Sequence, residues 1–158
     1  MSPPLSDLEL FQRLLLAAAC GGVLGIEREL KQKAAGLRTN MLISLGSALF
    51  TLMSYELADA AGADPTRVAA QIVTGIGFLG AGAIIRTHSG VHGLTTAATI
   101  WVNAAVGLTA GGGEYRLAIL ATGITFVVLL LVTPLEGIIA RFSPRVPDKP
   151  DHEDKQTS

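Results

Sequence analysis

The chain has one cysteine, Cys20, so no internal disulfide can form and no disulfide framework supports the fold. Charge is scarce as well. Asp, Glu, Lys and Arg make up 16% of the residues, against roughly 25% in a soluble domain. Twelve basic residues face 13 acidic ones, a net charge of -1, so no overall basic field is available to hold nucleic acid. The chain has no phosphate loop, no CxxC and no HExxH, and no nucleophile stands beside a base. The glycines of GIGFLGAG do not follow a strand, which excludes a dinucleotide fingerprint. His88 and His92 stand four apart, but Gly90 lies between them and Gly93 follows, so they do not make a helical metal pair. A non-enzyme is expected, with no cofactor apart from an Mg²⁺ ion.

Apolar length is what the chain does have. Mean hydropathy is +0.48, and the charge deficit is confined to segments. A spanning helix needs about 20 apolar residues. Five segments meet or approach that length: Leu8–Ile26, Met41–Ala60, Val68–Ile85, Leu94–Ala110 and Leu117–Ala140. The expected fold is all-α, a polytopic bundle of about five transmembrane helices. Residues 1–142 form the membrane domain, and 143–158 form a tail too polar to bury a core, expected to be disordered.

Lysine and arginine gather on the cytoplasmic side of a membrane protein. Arg28, Lys31, Lys33, Arg38, Arg86, Arg141, Arg145, Lys149 and Lys155 fall on one side of the five-span arrangement. Arg13, Arg67 and Arg116 fall on the other. The bias places the N-terminus outside and the C-terminus in the cytoplasm.

Local signals agree with helices. Ser6 and Glu9 have capping-box spacing. Asp64-Pro65 reads as a cap and first turn. Gly111-Gly112-Gly113 ends the fourth helix, Pro134 should kink the fifth, and Ser143-Pro144 stops it. Leu14-Leu15-Leu16-Ala17-Ala18-Ala19-Cys20 has the look of a lipoprotein signal, but Asp7 and Glu9 stand where a basic n-region belongs. Cys20 therefore reads as a small packed residue beside Gly21, Gly22 and Gly25.

The third and fourth segments carry the constellations of interest. On a helical wheel, Gln71, Gly75, Gly82 and Arg86 share one face of the third segment. Gly77, Gly80 and Ala81 lie roughly opposite, so both faces are thin enough for close helix packing. Thr95, Thr96, Thr99, Asn103 and Gly107 form a polar, small stripe on the fourth segment. Such a stripe faces protein or a wet cavity. Two readings stand: interhelical hydrogen bonding, or an ion or substrate path. Glu27 and Arg28 also have two readings. They form an interfacial salt-bridge cluster with Glu29, or Glu27 turns inward and pairs with Arg38 or Arg86 to close a polar pocket. Oxygens of Glu27, Thr39 and Asn40 suit a hard cation such as Mg²⁺, with Glu27 the metal candidate.

Four blocks resemble the MgtC/SapB family: Gly25-Ile26-Glu27-Arg28-Glu29, Ala35-Gly36-Leu37-Arg38-Thr39-Asn40, the run from Ala70 to Gly82, and Gly93-Leu94-Thr95-Thr96-Ala97-Ala98-Thr99. The resemblance covers roughly Leu14 to Ala140. It implies a bacterial inner-membrane protein of about five spans, linked to magnesium limitation and, in some members, to survival inside host cells. Some members are described as magnesium transporters. Founding members look like regulators of other membrane proteins, the ATP synthase among them. Those members carry a soluble C-terminal domain, whereas only a short tail follows Phe142 here.

Three functions follow as expectations. The first is a non-enzymatic membrane protein, a homodimer in the lipid bilayer, acting in Mg²⁺ homeostasis by helix contacts or through other membrane proteins. The second is a divalent-cation transporter or channel along the fourth helix. The third is a structural bundle whose basic first loop holds anionic lipid head groups.

Overall fold

The computed structural model describes residues 5–62, 64–88 and 90–142. In chain order the elements are α1 (Asp7–Leu30), α2 (Leu37–Ala61), α3 (Thr66–Gly82), β1 (Ile85–Thr87), β2 (Gly90–His92), α4 (Leu94–Gly111) and α5 (Tyr115–Phe142). The helices match the five expected segments, with one correction. Val68–Ile85 is not all helix: α3 ends at Gly82, and Ile85 opens an antiparallel hairpin that pairs it with His92, Arg86 with Val91 and Thr87 with Gly90. The tail 143–158, with Ser143-Pro144, lies outside the described residues, and so do the side chains from 133 to 142, including Pro134.

Among the described residues, three stretches are long and apolar enough to cross a membrane: Asp7–Leu30, Leu37–Asp59 and Tyr115–Val132. α3 and α4 fall short of that measure, although five spanning helices are expected. The reason is composition and length. Glycine, alanine and threonine fill both helices, and the 17 residues of α3 rise only about 25 Å against a hydrocarbon core of about 30 Å.

Both ends of α1 are set locally. Ser6 Oγ accepts the Glu9 N–H at 3.3 Å, and Glu9 Oε2 accepts the Ser6 N–H at 2.8 Å, completing the capping box. At the far end the Glu29 carboxylate reaches across the connector and accepts the Leu37 N–H at 3.0 Å, which caps α2. A Cβ on Gly36 would collide with that carboxylate. Asp64 opens α3 by accepting the Thr66 N–H and hydroxyl, both at 2.8 Å. Those two donors hold its carboxyl below the ordinary value of 3.8.

Glycine contacts organise the core around α2. On α1, a Cβ at Gly21 would stand 2.6 Å from Asn40 O, and one at Gly25 would stand 2.7 Å from Leu37 Cα. On α4, a Cβ at Gly107 would collide with Ser44 O, and one at Gly111 would stand 2.6 Å from Ala48 O. Each helix thus offers a small-xxx-small pair, the spacing that lets backbones meet in lipid. α2 answers with small buried residues: Asn40, Ser44, Ser47, Ala48, Thr51 and Ser54. Asn40 meets Asn103, Ser44 meets Gly107 and Ala48 meets Gly111, a constant offset of 63 residues that makes α2 and α4 parallel neighbours. α1 runs antiparallel to both. Its Arg13 donates from Nη1 to Gly111 O at 2.9 Å, where the C-terminus of α4 carries partial negative charge. Gly113, at φ +86°, makes the left-handed turn that follows. Cys20 is buried on α1 beside these contacts.

Gly107→Ala is expected to cost about 1–3 kcal/mol, the usual size of overpacking. The measurement is the thermal unfolding midpoint in detergent. Gly123→Ala, with nothing within 4 Å of its Cβ position, serves as the control and should show no loss.

Candidate functional site

The expected site residues divide into a buried polar clamp and an open groove. The clamp begins at Asn40, which is fully buried. Its Nδ2 donates to Ala35 O at 2.8 Å and to Gly36 O at 2.9 Å, fastening the connector to the first turn of α2. Asn103, also fully buried, donates from Nδ2 to Asn40 O at 2.6 Å and to Asn40 Oδ1 at 3.1 Å. One amide on α4 therefore holds both the backbone and the side chain of α2. Thr99 is buried, and its hydroxyl donates to Thr95 O at 2.8 Å. Thr96 is buried and Thr95 is exposed. Thr96, Thr99, Asn103 and Gly107 of this stripe are all buried. Two buried oxygens in this region, Asn103 Oδ1 and Ser44 Oγ, have no hydrogen-bond partner among the described residues.

Glu27 turns inward, as one sequence reading has it, but not to Arg38 or Arg86. Its Oε2 meets Arg28 Nε, and its Oε1 meets Lys31 Nζ at 2.8 Å. Glu27 and Arg28 are 3% and 2% exposed, so this is a buried ion pair rather than a surface cluster. The physical reason is reach: Lys31 lies one turn on along the same helix, whereas Arg38 and Arg86 are both exposed. Lys31 Nζ also donates to Leu129 O at 3.2 Å, tying α1 to α5. Both carboxylate oxygens of Glu27 are thus turned to cationic side chains, and Asn40 is engaged in its own bonds. Among the described residues, no group of three His, Cys, Asp or Glu side chains gathers in a way that could hold a metal.

The groove lies between α2 and α3, a cavity of about 960 Å³. Leu42, Gly46 and Phe50 form its α2 wall, and Gln71, Gly75 and Gly82 its α3 wall. Thr39 and Thr96 reach its edge. Gly75, Gly77 and Gly82 have nothing within 4 Å of a Cβ position, and Gly80 has only Ala97, at 3.7 Å. Within the chain, then, these glycines do not perform the close packing that Gly107 does. Ile76 and Gly80 are the buried residues of α3, and Ile72 packs against the same core cluster as Ile76.

The backbone contacts at Gly21, Gly25 and Gly111 and the bonds from Arg13 and Glu29 are not among the expected site features. The signals were present: Gly21 and Gly25, like Gly107 and Gly111, have the small-xxx-small spacing.

The profile of the MgtC family matches residues 14–138. YhiD of Escherichia coli strain K12, whose name marks it as a proposed magnesium transporter, is 50% identical over 127 residues. The match covers 77% of this chain and 59% of YhiD. Protein MgtC of Brucella abortus strain 2308 is 46% identical over 119 residues, covering 75% of this chain and 49% of that protein. Protein MgtC of Salmonella typhimurium strain 14028s is 45% identical, with 75% and 50% covered. The chain therefore spans about half the length of the curated relatives it matches. No solved structure matches it.

Removing one partner of a buried ion pair costs about 3–5 kcal/mol. Glu27→Gln is expected to fall in that range by detergent unfolding, because Arg28 and Lys31 lose their counter-charge. Arg38→Ala, at an exposed position, should leave the midpoint within about 0.5 kcal/mol of the parent.

Proposed function

This chain belongs to the MgtC family, and from that premise we propose that it serves magnesium homeostasis and adaptation to low magnesium without catalysing a reaction. It resides in the bacterial inner membrane with its N-terminus outside and its C-terminus in the cytoplasm. It acts through helix–helix contact, as a homodimer and through other membrane proteins. The magnesium link rests on the family and on the name of YhiD.

One observation carries the mode of action. α3 has three faces. Ile76 and Gly80 face the chain, and Gln71, Gly75 and Gly82 face the groove. Ala70, Thr74, Gly77 and Ala81 form a third face, and all four are exposed. Their spacing of four, three and four residues makes a continuous small stripe on one side of the helix. Elsewhere in the chain this kind of surface is pressed against a neighbouring backbone. Between two copies it permits the same approach, and the dispersion gained there drives association in lipid.

A second reading, transport of Mg²⁺ or another divalent cation along α4, draws support from the two unpartnered buried oxygens, Asn103 Oδ1 and Ser44 Oγ. Mg²⁺ dehydrates reluctantly and passes hydroxyls and amides with water still bound.

Two measurements separate the readings. For the first, the mass of the protein in detergent should be that of a dimer, and Gly77→Leu should shift it to monomer. A monomeric parent that also recruits no membrane protein defeats the first reading. For the second, Mg²⁺ flux into liposomes is compared between the parent and Asn103→Ala. Absence of flux from the parent removes the transport reading, and flux that Asn103→Ala abolishes while the variant stays folded by circular dichroism supports it.

A further inference from the structure

The groove between α2 and α3 has a polarity that neither helix packing nor ion passage uses. Its walls are apolar and glycine-thinned: Gly46 on α2 and Gly75 and Gly82 on α3 have nothing within 4 Å of a Cβ position. Phe50 and Phe78 stand at its rim, and Phe78 is 82% exposed. Among the lining residues, the α2 wall runs from Thr39 to Phe50, about 17 Å, and the α3 wall from Val68 to Ala83, about 22 Å. One leaflet of a bilayer core is about 15 Å deep. A cleft of this length accepts an extended acyl chain lying along the helices.

One end of the cleft is cationic. Arg38 is the neighbour of the groove residue Thr39, and Arg86 stands three residues past the groove residue Ala83. Both are exposed, and neither makes an ion pair or hydrogen bond through its side chain among the described residues. Lys33, exposed on the connector, adds a third positive charge. Among the described side chains, two carboxylates stand at this end, Glu27 facing Arg28 and Lys31 and Glu29 accepting the Leu37 N–H, against the five basic residues Arg28, Lys31, Lys33, Arg38 and Arg86. The end therefore carries positive charge that its own carboxylates do not neutralise. The hairpin that bears Arg86 exposes Ile85 and Val91 as well, apolar side chains suited to a membrane interface.

We propose that this groove is a binding site for an anionic phospholipid, with one acyl chain between α2 and α3 and the phosphate held by Arg38 and Arg86. Guanidinium groups suit the task because they present paired N–H donors to phosphate oxygens and stay charged. The apolar wall selects a lipid over a free anion, and the two arginines select an anionic lipid over a zwitterionic one. The site is separate from the Ala70–Ala81 stripe and requires no magnesium chemistry.

The test uses the full chain in nanodiscs of mixed phosphatidylglycerol and phosphatidylcholine, with retained lipid counted by native mass spectrometry after extraction. The parent should retain phosphatidylglycerol in preference. Arg38→Ala with Arg86→Ala should reduce that preference about 30-fold, the size of two basic contacts at a membrane surface. Gly75→Leu keeps every charge but fills the cleft, and it should lose the retained lipid to a similar extent. Lys33→Ala, outside the grip, should change the preference by less than about 5-fold. Circular dichroism of each variant confirms that it is folded.

Several results overturn the proposal. One is an unchanged preference in the double arginine variant. Another is an equal loss in Lys33→Ala, which would mean diffuse surface charge only. A third is retention unaffected by Gly75→Leu. A fourth is loss of the dimer rather than the lipid in Gly75→Leu, which would assign the groove to a second copy. Dimer mass and Mg²⁺ flux are read separately, so failure here leaves the proposed function standing, and the reverse holds as well.

Discussion

Close approach of backbones to α2 is the constraint on which the rest of this structure depends. Lipid offers no hydrophobic drive for helices to associate, so contact must come from dispersion and short-range polar bonds. Gly21 and Gly25 press on one side of α2, and Gly107 and Gly111 on the other. Because no side chain intervenes, Asn103 comes close enough to bond the carbonyl and the amide of Asn40. The serine- and threonine-lined face of α2 is then sheltered from lipid by protein on two sides. A bulkier residue at any of the four glycines would separate the helices and break the asparagine bonds along with the packing.

Electrostatics complete the bundle at its two ends. Arg13 brings α1 to the end of α4, and Lys31 brings it to α5. Lys31 can reach Leu129 while bound to Glu27 because its long stem spans the gap between helices and keeps one ammonium in contact with two acceptors. α3 is held more lightly, chiefly through Ile72, Ile76 and Gly80, and it presents most of its surface outward. The parts of the chain that look inward are fixed by glycine and amide contacts. Outward-facing apolar side chains lie on α1, α2 and α5 as well, Phe11, Leu42 and Ile124 among them.

Much of this was legible from the residues. The alternation of apolar segments and connectors locates the five helices, and Ser6 with Glu9 marks the start of the first. Asn103 and Gly107 fall on one stripe by helical spacing alone. Other features were hidden for physical reasons. A wheel shows that a glycine face exists but not whether a neighbour fills it. Gly75, Gly77 and Gly82 therefore read like Gly107, although only the last has a partner within the chain. Strands of three residues are too short to show an alternating pattern, so Ile85 reads as the end of the third segment rather than as the start of a hairpin. The pairing of Glu27 is set by one-turn geometry along α1, which the nearby arginines of other segments obscured. The α3–α2 groove depends on the crossing of two helices, which no linear pattern reports.

The constant offset between α2 and α4 has a consequence for biogenesis. α2 is made first, and the residues that cover one side of its polar face arrive 63 positions later. When α2 leaves the insertion machinery, α1 can already cover the Gly21 side, but Asn40 and Ser44 still face lipid where Asn103 and Gly107 will sit. Uncovered polar groups in hydrocarbon are costly. The first two helices therefore enter as an unfinished hairpin, and the core closes only when the fourth arrives to dock beside the second.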